Sequence, residues 1–201
     1  MKKETTNVLI VGVGGQGTLL ASRVIGRAAQ LSSYDVSISE VHGMSQRGGS
    51  VVTFVRFGEQ VHSPLFDHGC ADFILAFEEL EAYRALPYLK PEQGILIVNR
   101  QRISPMPVLT GKEAYPDDVL DRLQACARVC AVDGLQTALS FGSSKLVNTV
   151  LLGVFSRFSD IPEDNWARAL SECTPPRFLD MNRNAFASGR ASGDGYDRPG
   201  V

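Results

Sequence analysis

Two short stretches hold most of the residues whose types and spacing could do chemistry. The first, Gly12-Val13-Gly14-Gly15-Gln16-Gly17, has the spacing G-x-G-x-x-G and is followed by Thr18. In that pattern the first glycine allows a tight turn, the second lets backbone approach a phosphate, and the third lets a helix pack on a strand. A helix starting here would turn its free amides toward an anion. Glu40 stands 23 residues beyond Gly17, close to the spacing of about 20 at which a ribose-binding acid is found in dinucleotide sites. Taken alone, the motif signals NAD(P) or FAD, although Gly-rich turns also serve packing.

The second stretch is Glu40-Val41-His42-Gly43-Met44-Ser45-Gln46-Arg47-Gly48-Gly49, with eight polar or glycine residues out of ten. Such a loop suits an anion cradle. The Arg47 guanidinium can hold a carboxylate or phosphate through two bonds, and Gly48 and Gly49 let amides turn inward; a surface loop with a solvated arginine would read the same way. None of the histidines, His42, His62 and His68, has a partner fixed by spacing, so no catalytic residue is assigned. Cys70, Cys126, Cys130 and Cys173 contain no Cys-x-x-Cys pair. Cys126 and Cys130 read as lying in one strand, where four residues separate sulfurs by about 13 Å. They are expected to be small apolar side chains rather than metal ligands.

The elements that must position these motifs follow from periodicity. Val8–Val13 is a continuous apolar run, as in a parallel strand buried on both faces. After the glycine turn, Thr18 to Leu31 carries a helical stripe through Leu20, Val24, Ala28 and Leu31. Asp35–Val41 alternates as a second strand, placing the Glu40–Gly49 stretch at a carboxyl end, where open α/β sheets put their sites. Ser50–Phe57 reads as a strand turned by Gly58-Glu59 into a short return strand near Gln60–His62. Strands are expected at Asp72–Phe77, Gly94–Asn99 and Arg128–Val132. Helices are expected at Glu78–Leu89, Gly134–Leu139, Asn148–Phe158, Glu163–Glu172 and Leu179–Ser188. Gln101–Pro116, with three prolines, is a long surface connection. The result is an α/β fold: a single Rossmann-like domain over residues 1–190, with a mostly parallel open sheet, helices on both faces and an inserted β-hairpin. Residues 191–201 are Gly-rich without an apolar stripe and read as a disordered tail.

Size and composition bound the function. The chain has 201 residues, 44% hydrophobic and 21% charged, with a net charge of −2. That suits one globular domain and gives no electrostatic footprint for nucleic acid or an anionic membrane. The opening apolar run, Val8 to Gly14, is too short for a signal peptide or a membrane span. A cytoplasmic protein is expected.

Together the motifs become specific. A strand, Gly-x-Gly-Gly-Gln-Gly, a helix, and a second strand ending in His42-Gly-Met-Ser-Gln-Arg-Gly-Gly49 resemble the gamma-type domain of the 2-oxoacid:ferredoxin oxidoreductases, in the form found in the small (beta) subunits of the indolepyruvate type. Ser63-Pro64, Ala71-Asp72, Phe77-Glu78 with Glu81 and Arg84, Leu89-Lys90-Pro91, and Asn148 with Leu151-Leu152-Gly153 extend the resemblance from about Asn7 to about Arg190. It implies an enzyme that decarboxylates a 2-oxoacid with thiamine diphosphate, passes electrons through iron–sulfur clusters to ferredoxin, and forms an acyl-CoA. This chain has no ferredoxin-like cysteine run. Gly193-Asp194-Gly195 begins a thiamine-diphosphate motif whose Asn pair would fall beyond Val201, so that match is accidental. The resemblance therefore implies a large partner subunit holding thiamine diphosphate and the clusters, with this chain completing its active site. A stand-alone NAD(P)-dependent dehydrogenase and a nucleotide- or anion-sensing module are the other readings.

Overall fold

The computed structural model describes residues 4–42 and 49–192; the side chain of His42 lies outside it, as do residues 43–48. Strand β1 (Thr6–Val13) leads through the glycine turn into helix α1 (Thr18–Leu31), then β2 (Asp35–His42) and β3 (Ser50–Gly58). There follow β4 (Phe73–Ala76), α2 (Glu79–Ala85), β5 (Ile95–Asn99), α3 (Met106–Leu109), α4 (Val119–Cys126) and β6 (Arg128–Val132). Helices α5 (Gly134–Ser140), α6 (Val147–Phe158), α7 (Glu163–Cys173) and α8 (Leu179–Ser192) complete the described residues.

The six strands form one open mixed sheet in the order β2-β3-β1-β4-β5-β6. β1, β4, β5 and β6 run parallel, while β3 is antiparallel to both β1 and β2. The apolar run of β1 is explained by burial on both faces. Val8 and Ile10 join α1, α6, α7 and α8 around Phe155 and Trp166. Leu9 and Val11 face the other way, with Ala82 of α2 and Leu123 of α4.

Four expectations are corrected. No return strand forms near Gln60–His62: β3 already has a neighbour on each edge, so no ladder is left for a further strand to join. The chain there is held by side chains instead, with Arg56 Nη1 donating to the carbonyls of Ser63 and Leu65. The inserted hairpin is made of β2 and β3. Cys126 ends helix α4 rather than lying in a strand with Cys130; a short apolar stretch after Asp117-Asp118 is ambiguous in period. Finally, α8 continues to Ser192, past the expected helix end at Ser188; residues 193–201 lie outside the described residues. No helix among the described residues is long and apolar enough to cross a membrane.

Helices α6 and α8 approach through Gly153 and Gly189. A Cβ on Gly153 would stand 2.1 Å from the Phe186 carbonyl oxygen, and one on Gly189 would stand 2.0 Å from that of Val150. Helix propensity favours alanine over glycine by about 1 kcal/mol, yet backbone here leaves no room for a methyl group. Gly153→Ala should therefore destabilise the protein by roughly 3 kcal/mol. A urea midpoint equal to or above that of the wild type would show that the helices can separate without loss.

Candidate functional site at the carboxyl edge of the sheet

The carboxyl ends of β1, β2, β4, β5 and β6 share one edge, which also carries the start of antiparallel β3. The glycine turn lies there, and most of its residues have internal duties. Gly17, at φ 86°, is the N-cap of α1, and a Cβ on it would come within 2.5 Å of Asn148 Nδ2. A Cβ on Gly12 would meet Gln16 Oε1 at 2.9 Å and Phe77 Cβ at 3.0 Å. Gly15, at φ 100°, has open space beside it. Thr18 is buried in the first turn of α1, which has no acidic residue and no side-chain cap. No acidic side chain of the first turn balances the helix dipole at this end.

Gln16 is a structural brace. Its Oε1 accepts from Val13 N (2.7 Å), and its Nε2 donates to the Phe77 carbonyl (3.0 Å) and to Gln101 Oε1 (3.3 Å). Asn99 Nδ2 donates to the same two acceptors, and Asn99 Oδ1 accepts from Gly134 N. Three side-chain amides thus link the ends of β1, β4, β5 and β6.

Among the described residues, the second polar stretch meets the turn through Gly49, whose carbonyl accepts from Gly14 N at 2.9 Å. Ser50 is anchored next to it, donating from Oγ to the buried Glu81 carboxylate, which also pairs with Arg84. Ser45, Gln46, Arg47 and Gly48 lie outside the described residues, as does the side chain of His42. Glu40 accepts from Ser22 Oγ at 3.3 Å. Its strand is separated from β1 by β3, so a distance of two strand spacings, about 10 Å, parts it from the glycine turn. A ribose-binding acid stands on the strand beside the turn, and that arrangement is missing. His68 stacks edge-on against Tyr88, 4.3 Å between ring centres.

Behind the edge, α2 begins with buried carboxylates. Glu78 caps the helix through Glu81 N and accepts from Tyr115 Oη and Ile103 N. Burial first, and then this bond to Glu78, raise the Tyr115 pKa above its ordinary value, so the phenol remains a donor. Glu79 pairs with Arg102 at 2.8 Å. These bonds fix the start and end of the 101–117 connection.

A cavity of about 670 Å³ opens beside Gly15 and Gly17 and is bordered by residues that the sequence motifs did not single out: Gln101, Lys145, Thr174, Phe178 and Asn182. Of the residues matched by resemblance, Asn148 also borders it. Polar residues at the carboxyl ends of strands were the available signal for Gln101; nothing local marks Thr174 or Asn182, which arrive from the far end of the chain. Among the described residues no group of three or more His, Cys, Asp or Glu side chains is placed to hold a metal ion. The cysteines do not fit an iron–sulfur cluster: Cys130 is buried in β6 and Cys126 is exposed on α4.

Comparison with known proteins gives a consistent result. A family described as pyruvate ferredoxin/flavodoxin oxidoreductase matches residues 7–192. The chain is 38% identical over 191 residues to the indolepyruvate oxidoreductase subunit IorB of Thermococcus kodakarensis, covering 91% of this chain and 93% of that one. It is 36% identical over 189 residues to the same-named subunit of Pyrococcus horikoshii, again covering 91% and 93%. In fold it is similar to a keto/oxoacid ferredoxin oxidoreductase gamma subunit from Geobacter sulfurreducens, with a TM-score of 0.71 at 21% identity, covering 95% of this chain and 99% of that one. It also matches 2-oxoglutarate:ferredoxin oxidoreductase from Magnetococcus marinus, with a TM-score of 0.75 at 20% identity, covering 98% of this chain but 33% of that longer one.

The brace can be tested directly. Gln16→Leu keeps the size but removes one acceptor and two donor bonds, leaving Val13 N unpaired, and should cost about 2 kcal/mol in urea unfolding. A loss below about 0.5 kcal/mol, the range of an ordinary surface change, would show that the amide is not a brace. A second test concerns Cys130, whose thiol pKa is pushed up to about 12 by burial. At pH 8 it should resist alkylation in the folded protein while exposed Cys126 reacts; equal labelling rates would contradict the fold at β6.

Proposed function

The chain belongs to the pyruvate ferredoxin/flavodoxin oxidoreductase family, and on that premise we propose that it serves an enzyme that oxidises aryl 2-oxoacids such as indolepyruvate. It is the small subunit of a 2-oxoacid ferredoxin oxidoreductase. The observation that carries the aryl reading is the 38% identity over nearly the whole length of an indolepyruvate oxidoreductase subunit. In this proposal a large partner subunit carries thiamine diphosphate and the iron–sulfur clusters and passes electrons to ferredoxin, in the cytoplasm, with an acyl-CoA as product. Thiamine diphosphate would supply the electron sink for decarboxylation. Among the described residues no donor set fits a cluster.

What this chain offers the assembly is its carboxyl edge. In this reading Gly15, Gly17 and Thr18 present main-chain amides at an uncapped helix start, and Arg47 with Gly48 and Gly49 would add a guanidinium and further amides. The Gly14–Gly49 bond supports treating the two motifs as one anion site, with His42, Ser45 and Gln46 as its flanks and Glu40 set apart on β2. The stand-alone dehydrogenase reading is not favoured, since β3 separates Glu40 from the turn.

The purified chain alone should show no turnover of indolepyruvate with thiamine diphosphate, CoA and an electron acceptor, and turnover should appear when a large subunit of an indolepyruvate oxidoreductase is added. Activity of the chain alone would overturn the subunit reading, and absence of activity in a formed complex would overturn the substrate. In the active complex, Arg47→Ala should raise the KM of an anionic reactant about tenfold, equivalent to 1.4 kcal/mol. Unchanged constants for the 2-oxoacid, CoA and thiamine diphosphate would return Arg47 to a solvated role.

A further inference from the structure

Strand β2 ends the sheet, and no other strand among the described residues pairs with its outer edge. All eight of its residues pair with β3 in unbroken antiparallel register, from Asp35↔Gly58 to His42↔Val51. Alternate main-chain donors and acceptors of β2 therefore point away from the sheet. None of Asp35–Val41 is buried, and Ile38 is 38% exposed. Natural edges are blunted by lysine, proline, a bulge or shortness. β2 uses none of these: it runs eight residues, DVSISEVH, without Lys, Arg or Pro. Such an edge is a template for a further strand.

The pattern of β2 is complementary to itself. Val36 and Ile38 face α1, where a Cβ on Gly26 would meet both, and Ser37 and Ser39 point to the opposite face. Read outward from Ser37, Asp35-Val36-Ser37-Ile38-Ser39 gives the same order both ways: a β-branched residue, then a short polar one. Antiparallel pairing about a two-fold axis at Ser37 sets Val36 opposite the copy's Ile38, Asp35 opposite its Ser39, and Ser37 opposite Ser37. Apolar β-branched pairs then share one face, polar pairs share the other, and no carboxylate of β2 meets another. Moving the axis to Ile38 or Ser39 would set Glu40 against Val36 or Ile38. We propose that two copies of this chain pair through β2 in the Ser37 register, joining their sheets into one. Such a contact is isologous and closes as a dimer. Antiparallel pairing reverses every strand of the copy, so the two carboxyl edges point in opposite directions. Each edge stays open to its own large subunit, giving an enzyme with two small and two large subunits. The seat of the large subunit rests on the proposed function; the pairing of the copies does not.

Sedimentation velocity of the full chain tests it, over a range of about 1 to 200 µM because strand pairing covers less than a standard interface and gives a weak dimer. The mass should rise from one copy toward two. Ser39→Glu sets a carboxylate against the copy's Asp35 at two places and should weaken the dimer about tenfold, while Ser39→Lys should tighten it. Neither should change the melting temperature at low concentration, since Ser39 is partly exposed and stands opposite Phe54 rather than a charge on β3. Register is read by oxidation with glutathione disulfide and peptide mapping. Ser37→Cys should give a dimer linked at position 37, because residues directly opposite on antiparallel strands lie within disulfide reach. Ser39→Cys should give no link between its two copies, whose sulfurs would stand about 13 Å apart along the strands. A chain that stays monomeric throughout the range, as it would if a strand of the large subunit were the natural neighbour of β2, would overturn the inference. So would a dimer indifferent to both charges at position 39, or the absence of a link at position 37.

Discussion

Where parallel strands stop, the main-chain groups of their last residues lose their ladder partners, and in an apolar interior each must be satisfied by something else. Here that duty falls on three side-chain amides. Gln16, Asn99 and Gln101 together take up Val13 N, the Phe77 carbonyl and Gly134 N. The amides also bond to one another. An amide suits the place because it donates and accepts at once without bringing a charge into the edge. The glycine turn takes its shape around this brace: Gly12 leaves room for Gln16, and Gly17 leaves room for Asn148. The open Gly15 and the uncapped start of α1 are then what remains for a ligand.

A second constraint is the placement of β3. In a plain dinucleotide fold the strand after the first crossover lies beside β1, and its terminal acid reaches the ribose. Here an antiparallel strand occupies that position and pushes β2 to the sheet margin. The insertion brings Gly49 up to the turn, where it meets Gly14, and removes Glu40 from it. The same glycine spacing can therefore serve a different chemistry, because the neighbour that gives the motif its usual meaning has been exchanged. The buried Glu78, Glu79 and Glu81 do related work at the next strand end, fixing Tyr115, Arg102 and Ser50.

Burial on both faces of the central strands supplies the scaffold on which these bonds are made. Val8 and Ile10 on one face, and Leu9 and Val11 on the other, are at most 2% exposed. At roughly 1.5–3 kcal/mol for each fully buried aliphatic side chain, this burial outweighs any single bond of the amide brace. The brace positions the edge; the core keeps it folded. On the α1 side, the close crossing at Gly153 and Gly189 lets α8 seat tightly, and the start of α8 brings Met181 and Asn182 to the cavity.

The sequence by itself determined the local and the repetitive. The apolar run of β1, the stripe of Thr18 to Leu31 and the later helices are each written in a period set by backbone geometry, and the two glycine motifs together were specific enough to mark the family. Partner choice between strands was not legible, because period fixes which face a strand buries and says nothing of its neighbours. That is why a return strand was expected at Gln60–His62, where β3 has no free edge. Gln16 reads as a ligand residue for the same reason: its one donor is Val13 N and its two acceptors are the Phe77 carbonyl and Gln101 Oε1, and only the last two are distant. The cavity was least legible of all. Asn148, Thr174 and Asn182 lie far along the chain from Gly15, and only the tertiary structure, by packing α6 and α8 against the carboxyl edge, decided that residues of three separate segments would border one space.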